Sequence, residues 1–372
     1  VMSYPAIMTD YGRDAWRTFL KERRCLYCLD ESLAIKNPGA KISKRILGSK
    51  TIAPYIRELN GTPISNSPFD VYNQFRFLDP DIWKRMGLYN FTMFKQYFGI
   101  FETWKVKGDR NRTFEKCVAY RNLNELYNLF HAVGSRVLKE DVLDLPPKLY
   151  SKRYFDLSPE AKRLYDKLKD EILLELAMGE IPVMMAMVRR IRLQQIACGF
   201  LPSGLDDGKV DWIGGKNARL ETLLETCEPI AHPTIIWTHL RPNIEIISRH
   251  PYFRNKCVVI DGTVTGEARG QALDLFKHGK VQYLVANQET IGVSRGQTLT
   301  NAKTVIYYTN NDKLDDRLQS EDRPHRVGLQ HPVDYIDIVA NNVEIDQKKV
   351  DGLRKKVNVS CAITGDNIAE WI

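Results

Sequence analysis

Five short apolar runs in the second half of the chain restrict what it can fold into. Thr234–Trp237, Cys257–Ile260, Gln282–Ala286, Thr304–Tyr308 and Val333–Val339 are rich in β-branched and aromatic residues, as buried strands are. Helical patterns separate most of them. Strand and helix in alternation predict an α/β fold with a largely parallel, doubly wound sheet, because each crossover helix returns the chain to the same end of the sheet. The first half offers two more strands, Arg24–Leu29 and Tyr55–Leu59, and then an aromatic-rich helical region from about Ile82 to Phe130. Asp-Leu-Pro-Pro-Lys at 144–148 breaks any regular element and is an expected hinge between domains. Beyond it, Ser158-Pro159-Glu160 begins a helix whose Ala161, Leu164, Tyr165, Leu168 and Ile172 share one face.

A length of 372 residues suits two domains, and 43% hydrophobic content supplies their cores. The net charge of +8 permits a polyanionic partner without requiring one. Seven scattered cysteines fit a reducing compartment. Cys25 and Cys28 stand three apart on a predicted strand, hence on opposite faces, and cannot jointly grip a metal. No apolar run reaches the ~20 residues that span a bilayer, and Asp10 and Asp14 interrupt any signal-peptide pattern. The Met-rich run Ile181–Val188 is expected to fill a core.

Two constellations carry chemistry. In RLQSEDRPHRVG, residues 317–328, Arg323 and Arg326 stand three apart, so on a helical turn both guanidiniums leave one face. The planar guanidinium matches phosphate oxygens two at a time and suits the charge on a γ-phosphate in transfer. From spacing alone, a solvated, charge-rich helix remains open. Far upstream, Asp30 and Glu31 stand where the first strand ends. An Asp there can hold Mg²⁺, directly or through water, and a neighbouring Glu can polarise an attacking water. A Gly61-Thr62-Pro63 turn follows the next strand. The acidic pair, the turn and the late Arg-x-x-Arg are together far more specific than any one of them.

DESLAIKNPGAKISK, LNGTPISNSPFDVYNQFRFLDP, TIIWTHL and TVIYYTNNDKLDDRLQSEDRPHRVG resemble, in order, the motifs of Swi/Snf-type superfamily II ATPases, over residues 1 to 342. The resemblance implies two RecA-like doubly wound lobes with mainly parallel sheets. The first would occupy 1–144, N-terminally incomplete and with a helical insertion. The second, a helicase C-terminal lobe, would occupy 145–345, leaving 346–372 as a polar extension on the surface. It further implies an ATP- and Mg²⁺-dependent DNA translocase or helicase, acting on double-stranded or branched DNA in a bacterial or phage-infected cytoplasm.

By the same resemblance, Asp30 orients Mg²⁺ and Glu31 positions or activates the hydrolytic water. Arg323 and Arg326 reach the triphosphate, and Gln319 and Gly292 lie beside the nucleotide. Ser3, Tyr4, Lys36, Asn37, Thr62, Thr238 and Thr290 fall at motifs that track the phosphate backbone of DNA without reading its sequence. The aromatic residues between 83 and 104 are available for base stacking, although packing of the insertion is their expected role.

The chain departs from the family pattern in places. Leu33 stands where many relatives have His and cannot hydrogen-bond to Gln319. Pro324, between the two arginines, should kink or end their helix. Residues 289–302 make a longer segment than the usual Gly-rich turn. No G-x-x-x-x-G-K-[ST] run exists among the 372 residues. Gly48-Ser49-Lys50-Thr51 lacks adjacent Gly and Lys, and Gly214-Gly215-Lys216-Asn217 lacks the Ser or Thr. The resemblance puts the P-loop upstream of Val1, so the chain is expected to begin inside the first lobe and to need a P-loop segment, in a longer chain or from a separate P-loop-containing chain. Loss of that strand would leave unpaired sheet edges. The alternative is a non-catalytic nucleic-acid-binding or interaction module derived from such a motor.

Overall fold

The structure, a computed structural model, describes residues 1–105, 113–178, 183–203, 209–293 and 297–364. It divides into two compact units. The first holds residues 1–104, 113–135 and the described residues from 355 onward; 136–354 form the bulk of the second.

In the first unit, the Ser3 hydroxyl caps α1 (Tyr4–Met8) and Thr9 caps α2 (Asp10–Glu22). Gly12 is required where the two helices meet, because a Cβ there would stand 2.0 Å from the Ala6 carbonyl oxygen. Trp16 and Leu20 of α2 are buried with Tyr27 and Leu29 of β1 (Leu26–Asp30). After α3 (Lys41–Leu47), the chain forms β2 (Tyr55–Leu59), parallel to β1 with Leu26 opposite Tyr55 and Asp30 opposite Leu59. Among the described residues these two strands pair only with each other. Tyr27 and Leu29 face the core while Leu26, Cys28 and Asp30 are exposed, so one face of the pair is covered. Helix α4 (Val71–Leu78) follows.

The region from Ile82 to Phe130 is not purely helical. Between α5 (Phe91–Phe98) and α6 (Leu123–Val133), β3 (Gly99–Lys105) and β4 (Thr113–Tyr120) form a two-stranded sheet. Their β-branched and aromatic residues favour extended backbone. Trp83, Phe94 and Phe98 are buried with Tyr72, Phe75 and Leu126. These rings form a core, as the sequence led us to expect, and are closed to base stacking.

The second unit opens with α7 (Lys139–Val142) and β5 (Lys148–Phe155), the latter an additional strand that sequence patterning did not indicate. Helices α8 (Pro159–Met178) and α9 (Val183–Ala197) pack together, and β6 (Phe200–Pro202) and β7 (Val210–Trp212) form an antiparallel ribbon. Then come α10 (Ala218–Cys227), β8 (Thr234–Trp237), α11 (Arg241–Arg249), β9 (Cys257–Ile260) and α12 (Gly266–Lys277). β10 (Tyr283–Ala286), α13 (Gln288–Val293), β11 (Thr304–Tyr307), α14 (Leu314–Glu321) and β12 (Val333–Ala340) complete the alternation. The six-stranded sheet runs β5-β12-β11-β8-β10-β9 with every pairing parallel. Ile236, Val285 and Ile306 enter one core cluster and Ile235, Leu284 and Val305 another, which is why β8, β10 and β11 read as unbroken apolar runs.

The stretch from 346 is not a polar surface appendage. It lies in α15 (Ile345–Thr364), whose Val350, Leu353, Val357 and Ile363 are buried. Asp346 pairs with the fully buried Arg219, and Ile363 joins the aromatic core of the first unit. Residues 365–372 lie outside the described residues, as do Ile181 and Pro182 of the Met-rich run.

Candidate functional site

In the first unit the chain turns sharply after β1. Asp30, the last residue of the strand, is exposed, and its carbonyl accepts a 2.8 Å hydrogen bond from the Tyr4 hydroxyl. Glu31 adopts φ 54° and ψ 55°, a left-handed conformation uncommon for a residue with a side chain. Such a conformation persists only where neighbours hold it. Next to it, the buried Ser32 donates to Gln74 Oε1 at 2.8 Å. Asn60 Nδ2 donates to both Ser32 Oγ and Gln74 Oε1 at 3.2 Å, and Asn60 Oδ1 accepts the Thr62 amide at 2.9 Å. Gln74 Nε2 donates to the carbonyls of Pro63 and Asp70, each at 2.8 Å. One buried amide on α4 thus ties the acidic turn to the Gly-Thr-Pro turn.

Ser32, Asn60 and Gln74 are not among the residues that the sequence pointed to, although all three lie inside the motif stretches at 30–44 and 59–80. Leu33, in a short 3₁₀ turn, is buried. Lys36 Nζ donates to Ser65 Oγ at 2.8 Å, and Asn37 Oδ1 accepts the Gly39 amide. Ser3 accepts from the Ala6 amide as a helix cap.

Glu58 of β2 is a further carboxyl beside this network. Its Oε1 is buried without a hydrogen-bond partner. Burial pushes its carboxyl up to about 9, against the opposing pull of Ser32 and Lys50.

In the second unit the polar residues gather at the carboxyl ends of β8, β10 and β11. The fully buried Thr238 shares a 2.8 Å hydroxyl–hydroxyl bond with Thr309 and accepts from Asn243 Nδ2 at 3.1 Å. Its side chain is therefore committed inside the unit, unlike the exposed backbone contact expected of it. The adjoining His239 donates its amide to Thr309 Oγ1 at 3.2 Å, and burial pushes its imidazole down to about 3. Thr290 and Gly292 lie on α13, which packs against α14.

Helix α14 ends at Glu321, so Arg323 and Arg326 do not share a helical face. Pro324, which cannot donate to the helix, sets that limit. Arg323 is buried, its Nη1 reaches the Gln297 carbonyl at 3.5 Å, and its own carbonyl accepts from the Leu299 amide at 2.9 Å. Arg326 Nε donates to the Asp322 carbonyl at 3.1 Å. Gln319 is half-buried one turn earlier on α14.

The donor set fits Mg²⁺ in type. Asp30 offers an exposed carboxylate at a strand end, and Mg²⁺ is held by one or two carboxylates with waters and substrate phosphates. Among the described residues no cluster of three or more His, Cys, Asp or Glu forms an all-protein metal site. No described helix is long and apolar enough to cross a membrane.

Residues 16–198 match the SNF2-related domain family, and residues 215–328 match the helicase conserved C-terminal domain family. The mouse "SWI/SNF-related matrix-associated actin-dependent regulator of chromatin subfamily A member 1" is 23% identical over 90% of this chain and 31% of its own length. An uncharacterised ATP-dependent helicase of Mycoplasma genitalium is 26% identical over 84% of this chain and 28% of its own. The chain thus spans under a third of each relative. The SWI2/SNF2 ATPase core of Sulfolobus solfataricus, solved with double-stranded DNA, is 22% identical with a TM-score of 0.45, over 97% of this chain and 73% of that one.

Proposed function

This chain belongs to the Swi/Snf-type superfamily II helicases, and on that premise we propose that it carries the acidic and arginine halves of an ATP-driven DNA translocase. The family is one of ATP-dependent helicases, so ATP, with Mg²⁺, and DNA are the ligands this assignment implies. Mg²⁺, when bound, neutralises charge on the phosphates in transfer. Asp30 is assigned to hold it, directly or through water. Glu31 is assigned to orient and deprotonate the attacking water. Arg323 and Arg326 are assigned to the charge that develops on the transferred phosphoryl group, with Gln319 and Gly292 beside the nucleotide. The observation that carries the assignment is the left-handed Glu31, held beside the Ser32–Gln74–Asn60 network that also fixes the Thr62 turn. An acidic residue in a strained turn, fastened to a second turn by the buried Ser32 and Gln74 and the half-buried Asn60, is what a water-positioning base coupled to a DNA-contacting turn requires.

For the DNA track, double-stranded or branched, we assign phosphate contacts to Ser3, Tyr4, Lys36, Asn37, Thr62 and Thr290. Thr238 is assigned to fixing the His239 loop. The sequence lacks the P-loop pattern, so turnover is expected to need a P-loop segment. DNA-stimulated ATP hydrolysis, by this chain alone and with a P-loop segment restored, tests the proposal. A gain on restoration supports a motor. A folded, restored protein with no DNA-stimulated hydrolysis contradicts it.

The missing P-loop pattern also motivates a second function, a binding module without turnover. It predicts salt-sensitive DNA binding that nucleotide does not alter.

A further inference from the structure

The segment that leads into the second unit is fastened to the turn that carries the two arginines. Lys139 Nζ, on α7, lies 2.6 Å from Asp322 Oδ1. Lys148 Nζ, the first residue of β5, lies 3.1 Å from Glu321 Oε2 and 3.6 Å from Asp322 Oδ1. The Tyr150 hydroxyl donates to Glu321 Oε2 at 2.9 Å. Between these anchors, His325 donates its Nε2–H to the Pro146 carbonyl at 2.9 Å. The Pro-Pro segment expected to serve as a hinge is thus bound to His325, one of the two residues between Arg323 and Arg326.

The charges explain why this fastening is needed. Glu321 is the last residue of α14 and Asp322 its C-cap. Carboxylates at that end face the negative pole of the helix and are repelled by it. Burial would raise both further, yet Lys148 holds each below its ordinary range, helped by Arg317 at Glu321 and by Lys139 at Asp322. Asp322 is also a relay. Its carboxylate is pulled by Lys139 while its carbonyl accepts from Arg326 Nε at 3.1 Å. A shift of the backbone at 322 therefore moves the guanidinium of Arg326.

We infer that Lys139 is a positioning residue for Arg326, acting through Asp322, so that the connecting segment sets the aim of the arginine turn. The catalytic use of that arginine rests on the function proposed above; the relay itself does not.

Backbone hydrogen exchange of residues 322–329 in the full chain reads the relay without turnover. Two amides there close the turn, Arg326 N onto the Pro324 carbonyl and Leu329 N onto the Arg326 carbonyl. Lys139 is half-exposed, so Lys139→Met should fold. It should speed exchange in the turn about two- to fivefold, in line with a partly solvated ion pair, and leave β8 and β11 unchanged. Lys139→Arg should restore the wild-type rate. Asp322→Asn breaks the same contact from the other side, so the double variant with Lys139→Met should exchange no faster than the faster single variant. Wild-type exchange in Lys139→Met, or additive effects in the double variant, would overturn the relay. A loosened turn in a protein with no ATPase counts against the motor alone, whereas an active ATPase with an unmoved turn counts against the relay alone.

Discussion

Arg317 and Asp337 form a two-pronged ion pair inside the second unit, at 2.7 and 3.0 Å, with both side chains excluded from solvent. Arg317 also donates to Glu321 at 2.7 Å and to Asn310 at 2.9 Å, and its guanidinium lies 3.4 Å from the centre of the Tyr307 ring. The cluster joins α14 to β12 and β11 and so fixes the helix from which the arginine turn departs. Removing one partner leaves a buried charge unmatched. Arg317→Met should cost about 3–5 kcal/mol of stability in the second unit, measured by chemical denaturation. Arg317→Met with Asp337→Leu should recover much of that loss, because Glu321 keeps Lys148 and Tyr150.

Glu58 gives the first unit a pH dependence. Burial raises its carboxyl from an ordinary 4.5 to about 9, so between those values the folded state holds a proton that the unfolded state releases. Stability from this group is complete below pH 4.5 and is lost as pH rises towards 9. Glu58→Gln should therefore stabilise the first unit at pH 8 and flatten its pH profile in thermal unfolding. Equal stability of the variant and the parent at pH 8 would contradict a protonated Glu58.

His239 acts with the opposite sign in the second unit. Burial, aided by Lys349, lowers its imidazole from 6.5 to about 3, so the unfolded state takes up a proton first as pH falls. The second unit should lose stability as pH drops from 6.5 towards 3. His239→Asn should reduce that loss when unfolding at pH 5 is compared with pH 7.

Lys36 tests the DNA assignment. If it contacts a backbone phosphate, Lys36→Ala should weaken DNA binding to a similar extent across sequences and lower the salt slope by about one. Its hydrogen bond to Ser65 makes a small loss of stability expected as well.

The strands of the second unit were legible because burial on both faces forces unbroken apolar runs such as TIIW and YLVA. β5 was not, since KLYSKRYF is an edge strand whose Lys and Arg residues face outward in part. β3 and β4 were hidden by aromatic residues that suit either a helix or a strand. α15 carried a signal that was passed over. Val350, Leu353 and Val357 recur at helical spacing, but the intervening lysines made the stretch look like surface. At the site, Pro324 foretold that the arginines leave their helix. The Arg317–Asp337 pair and the Gln74 hub could not be foreseen, because their partners lie 20 and 42 residues away along the chain.

The most direct measurement compares Glu31→Gln and Arg323→Ala with the parent in DNA-stimulated ATP hydrolysis, each supplied with a P-loop segment. Glu31 as the water-positioning base predicts a loss of roughly 10²–10⁴-fold in turnover. Arg323 as a charge-stabilising finger predicts roughly 10³-fold or more. DNA binding should remain in both. Parental turnover in either folded variant would contradict the assignment of the two halves to one ATP site.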